Sequence, residues 1–294
     1  MRAVALHADV LVATSAVLRA NCVLVRAAGR EGEKTAADSE RAGALEQPGG
    51  SGQTGTGSGR GAETFVIDSP VLPDELGALP ALIEQARFPA PSGLLATHGD
   101  WDHLLGRIAF PGLALGCAES TAARLRSSPG EAQRELRAFD EDLLIERERP
   151  LALGSVQSLP VPGRCAVGAR ELELHPATGH TGDGMAILLP WARVLIAGDY
   201  LSAVELPTCV DIESDLDAYL ATLECLRPLV GRAEHVVPGH GPVLNREQAL
   251  IVLEEDRVYL RALSERGAEA DLPAGRRTPA QRKLHAENVA HMAH

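Results

Sequence analysis

Apolar positions along the chain fall into short runs bounded by polar or Gly-containing turns, with stretches of helical spacing between them. The opening stretch MRAVALHADVLVATSAVLRANCVLV is rich in Val, Leu and Ala but is interrupted by His7, Asp9, Arg19 and Asn21. A secretory leader needs an unbroken apolar core and a small-residue cleavage site, so two strands are the expectation here. Six later runs, GLLATHG, GLALGCA, ELELHPAT, MAILLP, RVLIAGD and EHVVPGH, also read as strands. Helical spacing is clearest over residues 214 to 227, where Leu216, Tyr219, Leu220, Leu223 and Leu226 form one stripe. Ser214 is placed to cap that helix and Pro228 to stop it. Weaker stripes occur near 74 to 87, 131 to 147, 246 to 266 and 278 to 292. Strands interleaved with helices predict an α/β layered domain with a helical C-terminal end.

One segment breaks the pattern. Residues 30 to 62 lack apolar periodicity and are dense in Gly, Ser and charge. Such a chain gains too little burial to offset its ordering entropy, and it reads as a flexible insertion. The flanking runs CVLVRAA and TFVIDSP are then hairpin partners across a long loop.

Composition narrows the function classes. With 294 residues and 45% hydrophobic content, the chain can bury one large core or two modest ones. A formal charge of -12 and a pI near 5.3 argue against a nucleic-acid-binding surface, which needs a basic face. Cys22, Cys117, Cys165, Cys209 and Cys225 are odd in number, widely spaced and form no C-x-x-C pair. A disulfide framework is therefore not expected, a reducing compartment is favoured, and the cytoplasm is the default location. No run approaches the roughly 18 apolar residues of a membrane span.

Candidate chemistry gathers at the predicted strand ends. HGDWDH sets His98, Asp100, Asp102 and His103 within six consecutive positions. A polar turn capping a helix is the plain alternative. In an extended chain the side chains at i and i+2 project to one side, so His98 and Asp100 can converge on one ion as the strand runs out. His180 in ATGHTGDG, Asp199 in VLIAGDY and His240 in VVPGHGP end separate strands beside Gly, which lets the backbone come close to a neighbour. Each motif is weak alone. Together they supply four His and three Asp, enough for two metal ions with one bridging carboxylate.

Taken in order, HGDWDH, TGHTGDG, LIAGDY and VPGHGP resemble the H-x-H-x-D-H, Gly-His, Gly-Asp and Gly-His series of metallo-β-lactamase-fold hydrolases. The order is similar to that of the glyoxalase II-like branch, and FVIDSP resembles the family's Asp-containing second strand. The likeness spans most of residues 5 to 245. It implies an αββα sandwich over residues 1 to 245, with the insertion at 30 to 62, and a helical region over 246 to 294 packed on the same domain. It further implies a first ion held by His98, Asp100 and His180, a second held by Asp102, His103 and His240, and Asp199 bridging.

Asp100 stands where the majority pattern has His. A carboxylate adds a negative charge and a harder donor, shifting preference from zinc towards manganese or iron. Two divalent ions are expected, with zinc, manganese and iron all open. The H-x-D-x-D-H variant is also similar to a domain of DNA-uptake channel proteins, which keeps a phosphodiesterase reading open.

The implied activity is hydrolysis of an ester or thioester of a small anionic molecule by a metal-bound hydroxide. Asp102 is the candidate catalytic residue, orienting that hydroxide and receiving its proton. The glutathione-binding residues of true glyoxalase II are not recognisable. Phosphodiesterase or nuclease action, and oxidation at a single iron as in persulfide dioxygenases, are the alternatives; a binding module with structural metals is the non-enzymatic one. The partner is a small-molecule substrate, and neither membrane nor nucleic acid is called for.

Other residues carry two readings each. His7, His175 and His235 read as structural or surface residues. Tyr200 is either an oxyanion donor or a side chain packed under the sheet edge. Trp101 either floors the pocket or shields the turn. In the last segment Thr278 and Pro279 mark a helix start, and His285, Asn288 and His291 share a face that either lines the pocket or is solvated. Arg276, Arg277, Arg282 and Lys283 form the one basic concentration, to meet an anionic substrate or serve as ordinary surface.

Overall fold

The computed structural model describes residues 1–29, 61–208 and 215–292. The insertion read over residues 30 to 62, all but its last two positions, and the Ser214 cap lie outside them, as does Cys209. The first half of the chain forms a seven-stranded sheet in sequence order: β1 (Arg2–His7), β2 (Val10–Thr14), β3 (Asn21–Ala27), β4 (Glu63–Ile67), β5 (Pro91–Leu95), β6 (Leu115–Ala118) and β7 (Val156–Leu159). Pairing is antiparallel from β1 to β4 and parallel from β4 to β7. The expected hairpin is thus present, with Val23 opposite Ile67 and Val25 opposite Phe65. The second half forms a six-stranded sheet from β8 (Gly163–Val167), β9 (Arg170–Pro176), β10 (Met185–Leu189), β11 (Val194–Gly198), β12 (His235–Pro238) and β13 (Leu244–Asn245). Only β11 and β12 pair in parallel within it.

Helices α1 (Pro73–Gln85), α2 (Gly106–Ala109), α3 (Glu119–Ser127) and α4 (Glu131–Leu143) accompany the first sheet. Helices α5 (Leu216–Arg232), α6 (Arg246–Arg266) and α7 (Pro279–Met292) follow in the second half. The period-two pattern decides how these layers stack. Val10, Val12, Val23 and Val25 share a buried cluster with Ile187, Leu189, Val194 and Ile196, so the two sheets pack face to face. The alternate positions turn outward. Leu24, Val66, Leu94 and Leu115 pack with Leu76, Leu79 and Ile83 of α1 and Leu136 of α4. Ala186, Leu188, Leu195 and Ala197 pack with Leu223 and Leu226 of α5 and Leu253 and Leu260 of α6. The result is helix, sheet, sheet, helix. β10 and β11 are covered on both faces and buried throughout, which is why they read as unbroken apolar runs. Each such branched side chain contributes roughly 1.5–3 kcal/mol on burial, and a one-residue slip would send alternate residues to the wrong layer.

Two sequence expectations need correction. Pro228 does not stop α5, which runs on to Arg232; Leu229 and Val230 are buried in the second-sheet cluster, and their burial outweighs the hydrogen bond proline cannot donate. The helix starts on Asp215, whose side chain accepts from the backbone N–H of Asp217 and Ala218 at 2.9 and 3.2 Å. Strands β7 and β8 and helix α3 were not foreseen: their stretches VQSL, GRCAV and ESTAARLRS are partly exposed and carry weak apolar patterns. The four described cysteines other than Cys209 are free thiols, and no helix among the described residues is long and apolar enough to cross a membrane.

Candidate metal centre

The parallel strands β4 and β5 end side by side, and their ends are tied before any ligand appears. Asp68, just past β4, accepts from the backbone N–H and the hydroxyl of Thr97 at 2.8 and 3.0 Å. Its Oδ2 also lies 3.1 Å from His103 Nδ1. From Thr97 the chain delivers His98 and Asp100, then makes a tight turn over Trp101–His103 in which Asp102 and His103 are buried. The Ser69 hydroxyl donates to the Asp102 carbonyl at 2.8 Å and fixes that turn from outside. Thus one loop supplies four of the seven predicted ligands.

The second sheet supplies the rest. His180 lies between β9 and β10, and its backbone N–H donates to the Tyr200 hydroxyl at 3.0 Å. Asp199 follows β11 and His240 follows β12. Gly239 precedes His240 for a steric reason: a Cβ there would come within 1.8 Å of Asp199 Oδ1 and 3.0 Å of His103 Cε1. His240 Nδ1 lies 3.0 Å from the Leu18 carbonyl, which can only accept, so the ring is protonated at Nδ1 and Nε2 faces inward.

All seven predicted residues therefore meet at one edge of the sandwich. Donor atoms of His98, His180 and Asp199 lie within 4.8 Å of one another, and so do those of Asp102, His103 and His240. Asp199 stands between the two groups: its Oδ1 is 3.2 Å from His103 Nε2, and its Oδ2 is 3.4 Å from His180 Nε2 and 3.3 Å from His240 Nε2. Asp102 Oδ2 is 3.2 Å from His240 Nε2. Asp100 sits beside the first group, its Oδ2 3.4 Å from the Nε2 atoms of both His98 and His180.

These residues fit divalent ions on an observation independent of spacing. His98 Nε2, His103 Nε2 and Asp199 Oδ1 are buried and make no hydrogen bond among the described residues. Leaving such groups unsatisfied costs roughly 1–3 kcal/mol each, and they all point to the same small volume. Neutral imidazole and carboxylate are the donor types that zinc, iron and manganese accept.

The charges are strongly coupled among the protein groups. Burial by itself pushes His103 and His240 down, but the facing carboxylates of Asp199 and Asp102 outweigh it and hold both well above the usual imidazole range. Burial likewise pushes His180 down, and the carboxylates of Asp100 and Asp199 outweigh it, so that it rises to about 8. Conversely burial pushes Asp199 and Asp100 up, and the surrounding imidazoles bring both well below the usual carboxylate range. Asp102 moves the same way through His103 and His240.

A narrow cavity of about 10 Å³ lies against His180 and Asp199, walled by Ser202, Glu205, Leu206, Pro207, Tyr219 and Asp256. The larger concavity, about 880 Å³ along α6 and residues 271–274, shares none of the seven residues. The 202–207 loop beside the centre is stapled from behind by the C-terminal region. Arg276 donates to the Ser202 and Glu205 carbonyls at 3.2 and 2.8 Å and pairs with buried Asp256 at 2.5 Å. Gln281 donates to the Val204 carbonyl at 2.6 Å and Asn288 to the Pro207 carbonyl at 2.9 Å.

This corrects two readings of the last segment. Arg276 is not surface but buried in an ion pair, whereas Arg277, Arg282 and Lys283 are exposed, the two arginines on backbone carbonyls and Lys283 beside Glu287, as ordinary surface. His285 and Asn288 are not among the residues lining the cavity: Asn288 is buried, His285 is half-buried, and both side chains meet the Tyr259 hydroxyl at 3.1 Å. Tyr200 is buried against Tyr219, with ring centroids 4.6 Å apart, and its hydroxyl accepts from the His180 backbone, which matches packing under the sheet edge. Trp101 packs on Phe139 of α4 at 4.6 Å and shields the turn. His175 lies 3.4 Å from Glu173, away from the centre.

Supporting residues were harder to foresee. Asp183 is buried, takes the Gly99 N–H at 3.0 Å and pairs with Arg124 at 2.9 Å, while Arg124 also pairs with Asp100 at 2.7 Å. Asp183 shares the Gly-flanked setting of the ligands in TGDG, a signal that was present. Arg124 lies in a helix of polar, small residues and had none.

Fold and site together define a four-layer protein with a cluster of candidate metal ligands at the strand ends of both sheets. The model of the metallo-beta-lactamase superfamily matches residues 56–240, and the chain belongs to that superfamily. No curated protein matches it in sequence. Among solved structures it is similar to a metallo-beta-lactamase family protein from Thermus thermophilus, with 19% identity and a TM-score of 0.62 over 98% of this chain and 93% of that one. A metallo-beta-lactamase from Pontibacter korlensis is 16% identical, with a TM-score of 0.53 over 86% of this chain and 98% of that one. The protein TTHA1623, solved in a di-iron-bound form, is 18% identical, with a TM-score of 0.52 over 81% of this chain and 96% of that one.

Proposed function

We propose that the protein is a metal-dependent hydrolase of small-molecule esters or thioesters, with two divalent ions held by His98, Asp100, His180, Asp102, His103 and His240 and with Asp199 shared between them. The observation that carries this reading is the position of Asp199. Its two oxygens face ring nitrogens of both triads at 3.2–3.4 Å, while buried nitrogens of His98 and His103 stay without a hydrogen bond. Bound divalent ions supply Lewis acidity, lowering the pKa of a water molecule to about 7 and polarising the oxygen of the bond to be cleaved.

The protein's own groups do the rest. Asp102 is buried and ionised, its Oδ2 directed to the centre, where it orients the attacking water and takes up its proton. Asp68 and the Leu18 carbonyl keep His103 and His240 in the tautomer that turns Nε2 inward. The wall formed by residues 202–207 restricts the approach of substrate, and Arg276, Gln281 and Asn288 keep that wall in place. With Arg276 buried in its ion pair, attraction for an anionic substrate rests on the ions. The ester or thioester choice rests on the glyoxalase II-like order of the motifs, and a cytoplasmic setting rests on the cysteine pattern.

The test is metal quantification joined to a substrate panel. Protein grown with zinc, manganese and iron should carry close to two ions, and it should cleave acyl esters or thioesters in preference to a bis-phosphate ester. Protein carrying no stoichiometric metal, or cleaving only the phosphodiester, would sink the proposal. One observation favours a second reading: His98, His180 and Asp199 form a two-histidine, one-carboxylate set, a donor set used by non-haem iron oxygenases. Oxygen uptake in the presence of a persulfide, without ester cleavage, would decide for it.

A further inference from the structure

Asp100 is the one ligand position at which this chain departs from the majority pattern, and it is also the one whose side chain is divided between two partners. Its Oδ2 faces the Nε2 atoms of His98 and His180 at 3.4 Å each. Its Oδ1 is taken by Arg124 Nη1 at 2.7 Å. The same guanidinium nitrogen reaches Asp183 Oδ1 at 2.9 Å, and Asp183 Oδ2 holds the Gly99 N–H at 3.0 Å. The loop is pressed onto this pair so closely that a Cβ at Gly99 would lie 3.3 Å from Asp183 Oδ2 and 3.4 Å from Arg124 Cδ. Arg124 projects from α3, a helix with an exposed outer face, yet its own side chain is only 13% exposed.

We propose that Arg124 is a positioning residue that acts through Asp100: it ties one carboxylate oxygen, leaves the other for the first ion, offsets the charge that Asp100 adds, and so sets the metal preference of that site. This rests on the dinuclear reading above. A free carboxylate in place of imidazole brings one extra negative charge and can turn both oxygens to an ion, which favours hard, oxygen-seeking manganese over zinc. With Oδ1 bonded to a guanidinium, only one oxygen is offered, and Arg124, shared with Asp183, offsets part of the charge that Asp100 brings in place of the neutral imidazole. The departure at Asp100 is thereby answered within the protein, by a cation that no ligand motif contains.

The experiment is chelator competition for zinc and manganese on the full-length protein, with ion stoichiometry measured first on the parent. Arg124→Gln removes the cation and, being shorter, the bond to Asp100 Oδ1; it should shift the relative affinity of the first site towards manganese by about tenfold. Arg124→Lys keeps the cation and should hold that ratio within roughly threefold of the parent even where thermal stability falls as much as in the Gln variant. In an Asp100→Asn background, Arg124→Gln should move the ratio by less than about twofold, because its effect passes through the carboxylate. An unchanged ratio in Arg124→Gln, or an equal shift with and without Asp100, would overturn the proposal while leaving two bound ions in the parent and the hydrolase reading intact. A parent that binds no ions would overturn both.

Discussion

The two triads are secured by different physics. Asp102, His103 and His240 are almost wholly enclosed and are fixed by groups that lock tautomers: Asp68 beside His103 Nδ1, the Leu18 carbonyl beside His240 Nδ1, and the Ser69 hydroxyl on the Asp102 carbonyl. The His98, His180 and Asp199 group is flanked by Asp100, whose side chain is 22% exposed and is held by an ion pair with Arg124. Fully buried contacts, that of Asp68 included, are screened little by salt, whereas an ion pair nearer the surface is screened more. The second triad is thus the more rigid holder, and the first is the one whose charge can be tuned.

The largest effect is expected where the two triads meet. Asp199→Ala removes the carboxylate that faces ring nitrogens on both sides, and it should lower turnover on the best ester substrate by about 10³-fold or more, with metal content falling below two ions. Turnover retained within tenfold would break the picture of a shared ligand. A narrower change separates the triads. In Asp68→Asn the amide oxygen can still accept from the Thr97 N–H, but its NH₂ then faces His103 Nδ1 and drives the ring proton to Nε2. Binding at the second site should weaken by about 10–100-fold with the first site little changed, seen as a new low-affinity step in a chelator titration.

Acidity provides a test of sign. His180 titrates at about 8 in the folded protein against 6.5 for the free side chain. A raised histidine stabilises the fold fully below pH 6.5 and loses that contribution as pH rises through 8, so the ion-free protein should lose about 2 kcal/mol over this window from His180 alone. Metal binding must displace the same proton, so ion affinity should rise with pH over the same window. Thermal melting with and without chelator should therefore show opposite slopes between pH 6.5 and 8; parallel slopes would mean that His180 is not a ligand.

Much of this was legible beforehand because strand ends leave a strong trace: an apolar run, a glycine, then a side chain with a lone pair. His180, Asp199 and His240 each follow that form, His98 ends its apolar run with the glycine behind it, and period-two burial placed their strands in layers. What escaped notice depends on contacts between distant segments. Arg124 is 24 residues from Asp100 and 59 from Asp183, and nothing local marks a helical arginine as inward-facing. Arg276 looked like part of a cationic patch, yet its partner Asp256 lies on α6, a residue that reads as helix surface. Pro228 obeyed a local rule that buried neighbours override.

The smallest expected effect bears on whether the first triad includes a catalytic donor. Tyr200 directly follows Asp199 in sequence, but its hydroxyl accepts from the backbone N–H of His180 at 3.0 Å and its ring is buried against Tyr219. Tyr200→Phe would leave that N–H without its acceptor, costing about 1–3 kcal/mol of stability, and would loosen the His180 loop rather than the chemistry. Turnover should fall by less than about tenfold, with the deficit recovered at higher metal concentration, since the ligand is displaced and not the reacting group. An oxyanion donor behaves otherwise: its removal costs about 10²–10³-fold in kcat, and added metal does not restore it. The second outcome would move Tyr200 from the scaffold of the first triad into its catalytic machinery, and the contrast between a rigid second triad and a tunable first one would have to be redrawn around it.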